Sequence, residues 1–230
     1  MTKAEVQEAV VTLYLRLNGY FTSGFIVHSE VPGENKTELD VLALRLPHNA
    51  EPVRGVDPDP ALEPWDGGVD FIIGEVKSHG QQFQFNQALR ESRECVATIL
   101  QWWGHLTSEE VDRLTDQVVA MLAPHPGAEK APAIRCPRDA RVRAVLFSPE
   151  ENMRRQNQAW FISGPPMFAF IWKCLRPAAP RDVCATVYDF GRWGRELEPI
   201  VRYFKDGGRQ EAGSFHDLLN HLGIGAGYGR

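Results

Sequence analysis

The stretch Val69-Asp70-Phe71-Ile72-Ile73-Gly74-Glu75-Val76-Lys77-Ser78-His79 decides how this chain is read. It opens as an apolar run of β-branched and aromatic residues, the composition of a buried strand. It then alternates, so that Glu75 and Lys77 share one face and Val76 takes the other. At ~3.3 Å per residue, an acid and a lysine are held about 6.6 Å apart along a rigid element. Burying opposite charges costs desolvation energy, so a core strand that ends in this way marks the edge of a reactive site. The competing reading is a plain ion pair, because acid-x-lysine triplets are common. Glu34-Asn35-Lys36, which follows Pro32-Gly33, is such a triplet and is expected in a solvated loop.

Upstream of that strand, Lys3 to Asn18 has Val6, Val10, Leu13 and Leu17 at helical spacing. Thr2 and Glu5 are placed as a capping box, and Gly19 ends the helix. Glu8 sits on the flank of the apolar stripe, where it is either a solvated helix glutamate or a group that reaches a cleft. Phe25 to Val31 and Thr37 to Leu46 read as strands. In the second, Leu39, Val41 and Ala43 face one way, and Glu38, Asp40, Leu42 and Leu44 the other. Asp40 therefore lies in a strand interior, where propensity disfavours an acid. The Asp40 and Glu75 strands are expected to pair. Residues 47–68, rich in proline, glycine and acids, are expected as a mobile insertion between them.

Downstream, a long helix is expected over Gln81 to Trp103, with Gln84 and Gln87 near its start, and another is capped by Ser108. Residues 124–139 read as a loop, Val142 to Phe147 and Ala159 to Ser163 as strands, and Pro165-Pro166 as the start of a helix to about Leu175. A strand near Val183 to Phe190 and helices near Glu196 to Phe204 and Ser214 to Leu222 complete the chain. The fold class expected is α/β, a mixed central sheet flanked by helices. Residues 1–150 would form its core, and residues 151–230 an α+β extension that completes the sheet or contacts a ligand.

The 230 residues, 43% hydrophobic and 24% charged, suit one globular core. No run nears ~18 consecutive apolar residues, and Met1 to Glu5 lacks a signal-peptide pattern, so a cytoplasmic location and no membrane span are expected. Cys95, Cys136, Cys174 and Cys184 are not closely spaced, which argues against a zinc knuckle or a disulfide framework. The net charge of −5 is uneven: residues 1–137 hold 11 Lys/Arg against 20 Asp/Glu, and residues 138–230 hold 14 against 10. An acidic half beside a basic half suits a cation site next to a polyanion surface, although a moderately basic surface explains the second half equally well.

A helix bearing Glu8, a strand bearing Asp40 and a strand ending in Glu75-Val76-Lys77, followed by a helix, together resemble the PD-(D/E)XK nuclease superfamily, with its restriction-endonuclease-like fold. That superfamily includes Holliday-junction resolvases and Mrr-type enzymes. The likeness covers roughly residues 4–100. Glu38-Leu39-Asp40-Val41-Leu42-Ala43 and Ile73-Gly74-Glu75-Val76-Lys77-Ser78 look like its two signature strands. The proline that the family places before the aspartate is replaced by Leu39.

The resemblance implies a DNA endonuclease or related hydrolase that uses Mg²⁺, with Mn²⁺ as a substitute. Asp40, Glu75 and the Val76 carbonyl would hold the metal, and Glu8 a metal-bound water or a second ion. Lys77 would assist the attacking water, and Gln87, or Gln84, would stand near the phosphate. The oxygen donors suit Mg²⁺, which keeps several waters and takes few carboxylates. Restriction, repair and defence against foreign DNA are the implied settings. A homodimer or a place in a larger complex stays open.

Two further readings compete with the nuclease: a catalytically silent nuclease-like subunit that holds DNA or a protein, and a purely structural domain. His79 stands beside the site and reads either as a substrate contact or as a surface group. His216 and His221 are five apart and off one helix face, so no metal is expected there. The glycine-rich Gly223 to Gly229 lacks the strand and helix that a phosphate loop needs. The paired Trp102 and Trp103, with Trp160, Trp172 and Trp193, could stack on bases but suit a core better.

Overall fold

A computed structural model describes residues 1–49, 55–65, 67–153, 158–176 and 190–225. A mixed six-stranded sheet lies between two helical layers. The elements are α1 (Lys3–Leu17), β1 (Phe21–His28), β2 (Asn35–Arg45), β3 (Val69–Val76), α2 (Gln87–Glu91), α3 (Arg93–Trp103) and α4 (Ser108–Leu122). They continue with β4 (Ala133–Cys136), β5 (Ala140–Ser148), β6 (Phe161–Ser163), α5 (Gly164–Leu175), α6 (Glu198–Lys205) and α7 (Phe215–His221). The strand order is β1-β2-β3-β5-β4, with β6 also paired to β5. The β3–β5 and β5–β6 pairs are parallel and the others antiparallel. β4 follows the first half of β5 and β6 the second half.

The expected first helix forms with its capping box: Thr2 Oγ1 accepts from Glu5 N, and Glu5 accepts from Thr2 N. It packs with α5, α6 and α7 over one sheet face, where Val41, Ala43, Ile72, Val145 and Phe147 are buried. α2, α3 and α4 cover the other face through Leu89, Ile99, Leu100 and Val118, against Leu42, Phe71, Ile73 and Leu146. Trp103 stacks on Phe71 with ring centroids 4.3 Å apart, as a core tryptophan, whereas Trp102 is exposed and meets Phe25.

Several sequence expectations need correction. The helix expected from Gln81 begins only at Gln87 and is interrupted at Ser92. Asn86 caps α2 by accepting from Leu89 N, and Ser92 caps α3 by accepting from Cys95 N, so two short-side-chain caps divide one apolar pattern. Thr107, not Ser108, caps α4. The 124–139 loop contains β4, and Asn35 and Lys36 begin β2, with Lys36 Nζ 2.6 Å from Glu94.

Residues 55–65 do not behave as a loose insertion. Asp59 accepts from the Tyr14 hydroxyl at 2.8 Å and from Ala61 N, and its own N–H donates to Asn18 Oδ1. Leu62, on the 3₁₀ turn Pro60–Leu62, is buried in the core. The strand expected at 183–190 lies outside the described residues through position 189, and a 3₁₀ turn spans Phe190–Trp193. Cys184 and residues 226–229 also lie outside them.

β2 departs from the alternation read in its sequence. Ser23 pairs with Leu42 but Phe25 with Leu39, so two steps on β1 face three on β2. The extra residue is a bulge at Asp40–Val41. Leu39 and Leu42 both join the α3–α4 side while Val41 packs on the α1 side. The bulge also ends the β2–β3 ladder at Val41–Gly74, one pair short of Asp40 and Glu75. Gly74 allows this close approach, because a Cβ there would stand 2.4 Å from Val41 Cγ1 and 3.1 Å from Phe147 Cε2.

Candidate active site

The parallel strands β3 and β5 end side by side, and the carboxyl ends of parallel strands are where open α/β sheets place their ligands. Beyond the last β3–β5 pair, Lys77 N donates to Phe147 O at 2.8 Å and Ser148 Oγ to Lys77 O at 2.7 Å. The Lys77 backbone is thus clamped on both its polar groups. Its ammonium lies 3.2 Å from Glu75 Oε2, and both side chains are largely buried. The shared face expected for Glu75 and Lys77 therefore becomes a direct ion pair.

Asp40 stands where the ladder fails. Its Oδ2 accepts from Val76 N at 2.7 Å and takes the place of a backbone carbonyl that β2 would otherwise supply. The N–H and C=O of one strand residue point to the same side. The Val76 carbonyl therefore faces the β2 side of β3 as well. Glu75 accepts from Asn86 N at 3.2 and 2.9 Å, which ties it to the cap of α2. Asn86 also donates to Glu38 O and accepts from Thr37 Oγ1, so one residue joins β2, α2 and Glu75.

Electrostatics couple these groups. Burial pushes the Glu75 carboxyl up and the Asp40 charge adds to the rise, with Lys77 pulling against both. Burial likewise raises Asp40, against the Val76 N–H and Lys77. Glu8, exposed on α1, is raised by partial burial and then by the charge of Asp40. Three carboxylates are thus held above their ordinary range at one end of the sheet. All are oxygen donors of the kind a hard cation takes, and Mg²⁺ needs only one or two of them. Among the described residues, no three His, Cys, Asp or Glu side chains are gathered as a ready-made metal-holding group.

Gln87 is not brought to this cluster. It is exposed at the first position of α2, and its Nε2 donates to Glu91 Oε2 at 2.9 Å, one turn along its own helix. Gln84 donates to Gln82 Oε1. Sequence reading missed Asn86, Gln7 and Glu150. Gln7 is buried on α1, where its Oε1 accepts from Ser78 Oγ at 2.8 Å and its Nε2 donates to Glu150 Oε2. Glu150 also accepts from Lys3 Nζ and His79 N; burial would raise its carboxyl, but these donors hold it below the ordinary value. His79 Nδ1 lies 2.7 Å from Glu151 Oε1. The available signals were a polar Gln7 in register with Val10, Val11 and Tyr14, and an acid pair just past the strand that runs beside β3.

Comparison of the chain with protein-family models, with curated proteins and with solved structures finds no match. No helix among the described residues is long and apolar enough to cross a membrane.

Proposed function

We propose that the chain is a Mg²⁺-dependent phosphodiesterase that hydrolyses DNA. The observation that supports this best is the meeting of the Glu75–Lys77 ion pair with Asp40 across the gap opened by the β2 bulge. Asp40, Glu75 and the Val76 carbonyl would hold the ion, with Glu8 at its periphery, and Mn²⁺ would substitute. The ion, when bound, would lower the pKa of the attacking water and offset charge on the phosphate. Lys77, with its backbone clamped to β5, would present its ammonium to the phosphate oxygens as charge develops there. Glu75 orients that ammonium. A role in restriction, repair or defence against foreign DNA would suit such chemistry.

One observation favours a second reading, a catalytically silent nuclease-like subunit that binds DNA or a protein. Asp40 and Glu75 already have donors in Val76, Asn86 and Lys77. Two experiments separate the readings. Plasmid and branched DNA should be cut by purified protein with Mg²⁺ or Mn²⁺ and left intact in chelator, and wild-type-like cutting by both Asp40→Ala and Lys77→Ala would overturn the proposal. Calorimetry should show Mn²⁺ binding that Asp40→Ala loses; DNA binding without metal binding or cutting supports the silent subunit.

A further inference from the structure

A second basic, aromatic site lies at the opposite end of the sheet. There a cavity of about 470 Å³ opens beside the edge strand β4. Its wall includes Trp65, Lys130, Arg135, Arg141, Glu63 and Pro132. Asp70, which braces this wall, stands five residue steps before Glu75, about 17 Å along β3. The cavity is thus distinct from the Asp40–Glu75–Lys77 cluster, and what it binds does not depend on the nuclease reading.

Charge and shape both point to a ligand. Asp70, fully buried, accepts from Arg141 at 2.9 and 3.0 Å and from Arg143 at 3.0 and 2.7 Å. The remaining bonds of the two arginines go to neutral groups: Glu63 O, Leu62 O and the Tyr20 hydroxyl. One carboxylate therefore answers two guanidiniums behind the wall. At the wall itself, Glu63 is the single acid among the described residues, against Lys130 and Arg135 in addition to the Asp70-bound Arg141. Neither Lys130 nor Arg135 has a carboxylate partner among the described residues. Such an excess of positive charge beside a partly enclosed cavity favours an anion.

Trp65 supplies the aromatic component. Its half-buried ring lies 5.7 Å from the Arg135 guanidinium carbon and 5.2 Å from that of Arg141, centroid to carbon. Guanidinium forks match phosphate oxygens, and an indole beside arginine is a platform for a planar base. The volume is within the range of small-molecule sites.

We infer that this cavity binds a nucleoside phosphate, with the phosphate at Arg135 and Lys130 and the base against Trp65. The same chemistry could arrive as a free nucleotide or as the phosphorylated end of a strand. Titration calorimetry with 2′-deoxyadenosine 5′-monophosphate tests it on the full chain, with inorganic phosphate and unphosphorylated deoxyadenosine as controls. The nucleotide should bind at least about tenfold more tightly than either control, and Arg135→Ala and Trp65→Ala should each weaken it about tenfold or more.

Arg135 is exposed, so its truncation leaves the fold intact, and a thermal melt checks this. Lys77→Ala should bind the nucleotide as the wild type does. A short 5′-phosphorylated oligonucleotide that competes with the nucleotide identifies a strand end as the source, and failure to compete identifies the free nucleotide. Absence of binding, equal binding by inorganic phosphate, or unchanged affinity in both Arg135→Ala and Trp65→Ala would overturn the inference.

Discussion

Asp40 illustrates how one side chain serves geometry and charge together. Its carboxylate accepts from Val76 N, yet its burial raises it above the ordinary carboxylate range. A raised carboxyl contributes stability that is present below the unfolded pKa and lost as pH rises through the folded one. Asn at this position keeps the acceptor and removes the charge. Asp40→Asn should therefore melt at or above the wild-type temperature at neutral pH, with the difference growing as pH rises above the ordinary carboxylate value. Its DNA cleavage should fall at least about a hundredfold, and Mg²⁺ should no longer raise its melting temperature. A pH series of thermal melts alongside plasmid cleavage checks both expectations. For Lys77→Ala, loss of the ammonium should cost about 10² to 10³ in cleavage rate, read under single-turnover conditions.

The proximity of Glu75 and Lys77 was legible in the sequence because alternation puts residues two apart on one strand face, whereas the approach of Asp40 to Val76 N depends on the β2 bulge. Asn86, Gln7 and Glu150 were not legible either, since each acquires its role from residues far away in the chain. Gln87 was expected near the phosphate only through resemblance, and its bond to Glu91 follows from their spacing of four on one helix.

Among the elements, β2 shows what periodicity conceals. The run Leu39-Asp40-Val41-Leu42 reads as simple alternation, but the register against β1 adds one residue, and only the pairing partner reveals it. The bulge depends on the absent side chain at Gly74. Gly74→Val would drive methyl groups into Val41 and Phe147, two stiff, buried neighbours. It should cost about 1–3 kcal/mol of stability, measured by urea denaturation, and reduce cleavage by displacing Asp40. Helix boundaries were hidden for a related reason. Apolar spacing continued through Asn86 and Ser92, and their side chains, by taking Leu89 N and Cys95 N, decided where helices start.

At the scale of the molecule, the sheet's two ends obey opposite electrostatic rules. At the candidate site Glu75, Asp40 and Glu8 are raised, whereas at the far end burial would raise Asp70 but the Arg141 hydrogen bond and the Arg143 and Arg141 charges hold it low. Its contribution is therefore present above the unfolded carboxylate pKa and lost as pH falls through the folded one. Asp70→Asn would leave the buried Arg143 and the partly buried Arg141 facing a neutral amide. It should destabilise the protein by about 3–5 kcal/mol at neutral pH and weaken the acid dependence of unfolding, seen by circular dichroism across pH.

The α/β class followed from strands and helices alternating along the sequence. The anchoring of residues 55–65 by Tyr14, Arg141 and Arg143 did not, because a segment rich in proline and acid has no local signal for burial.

The clamp on Lys77 reaches Ser148, 71 positions later in the chain. Local segments collapse quickly, but a contact of that span waits on the closure of a long loop. A ribosome-bound fragment ending before β5 already carries both acids and the lysine, yet lacks the partner that fixes the lysine's backbone. Any chemistry that relies on this clamp would therefore wait until synthesis has passed β5.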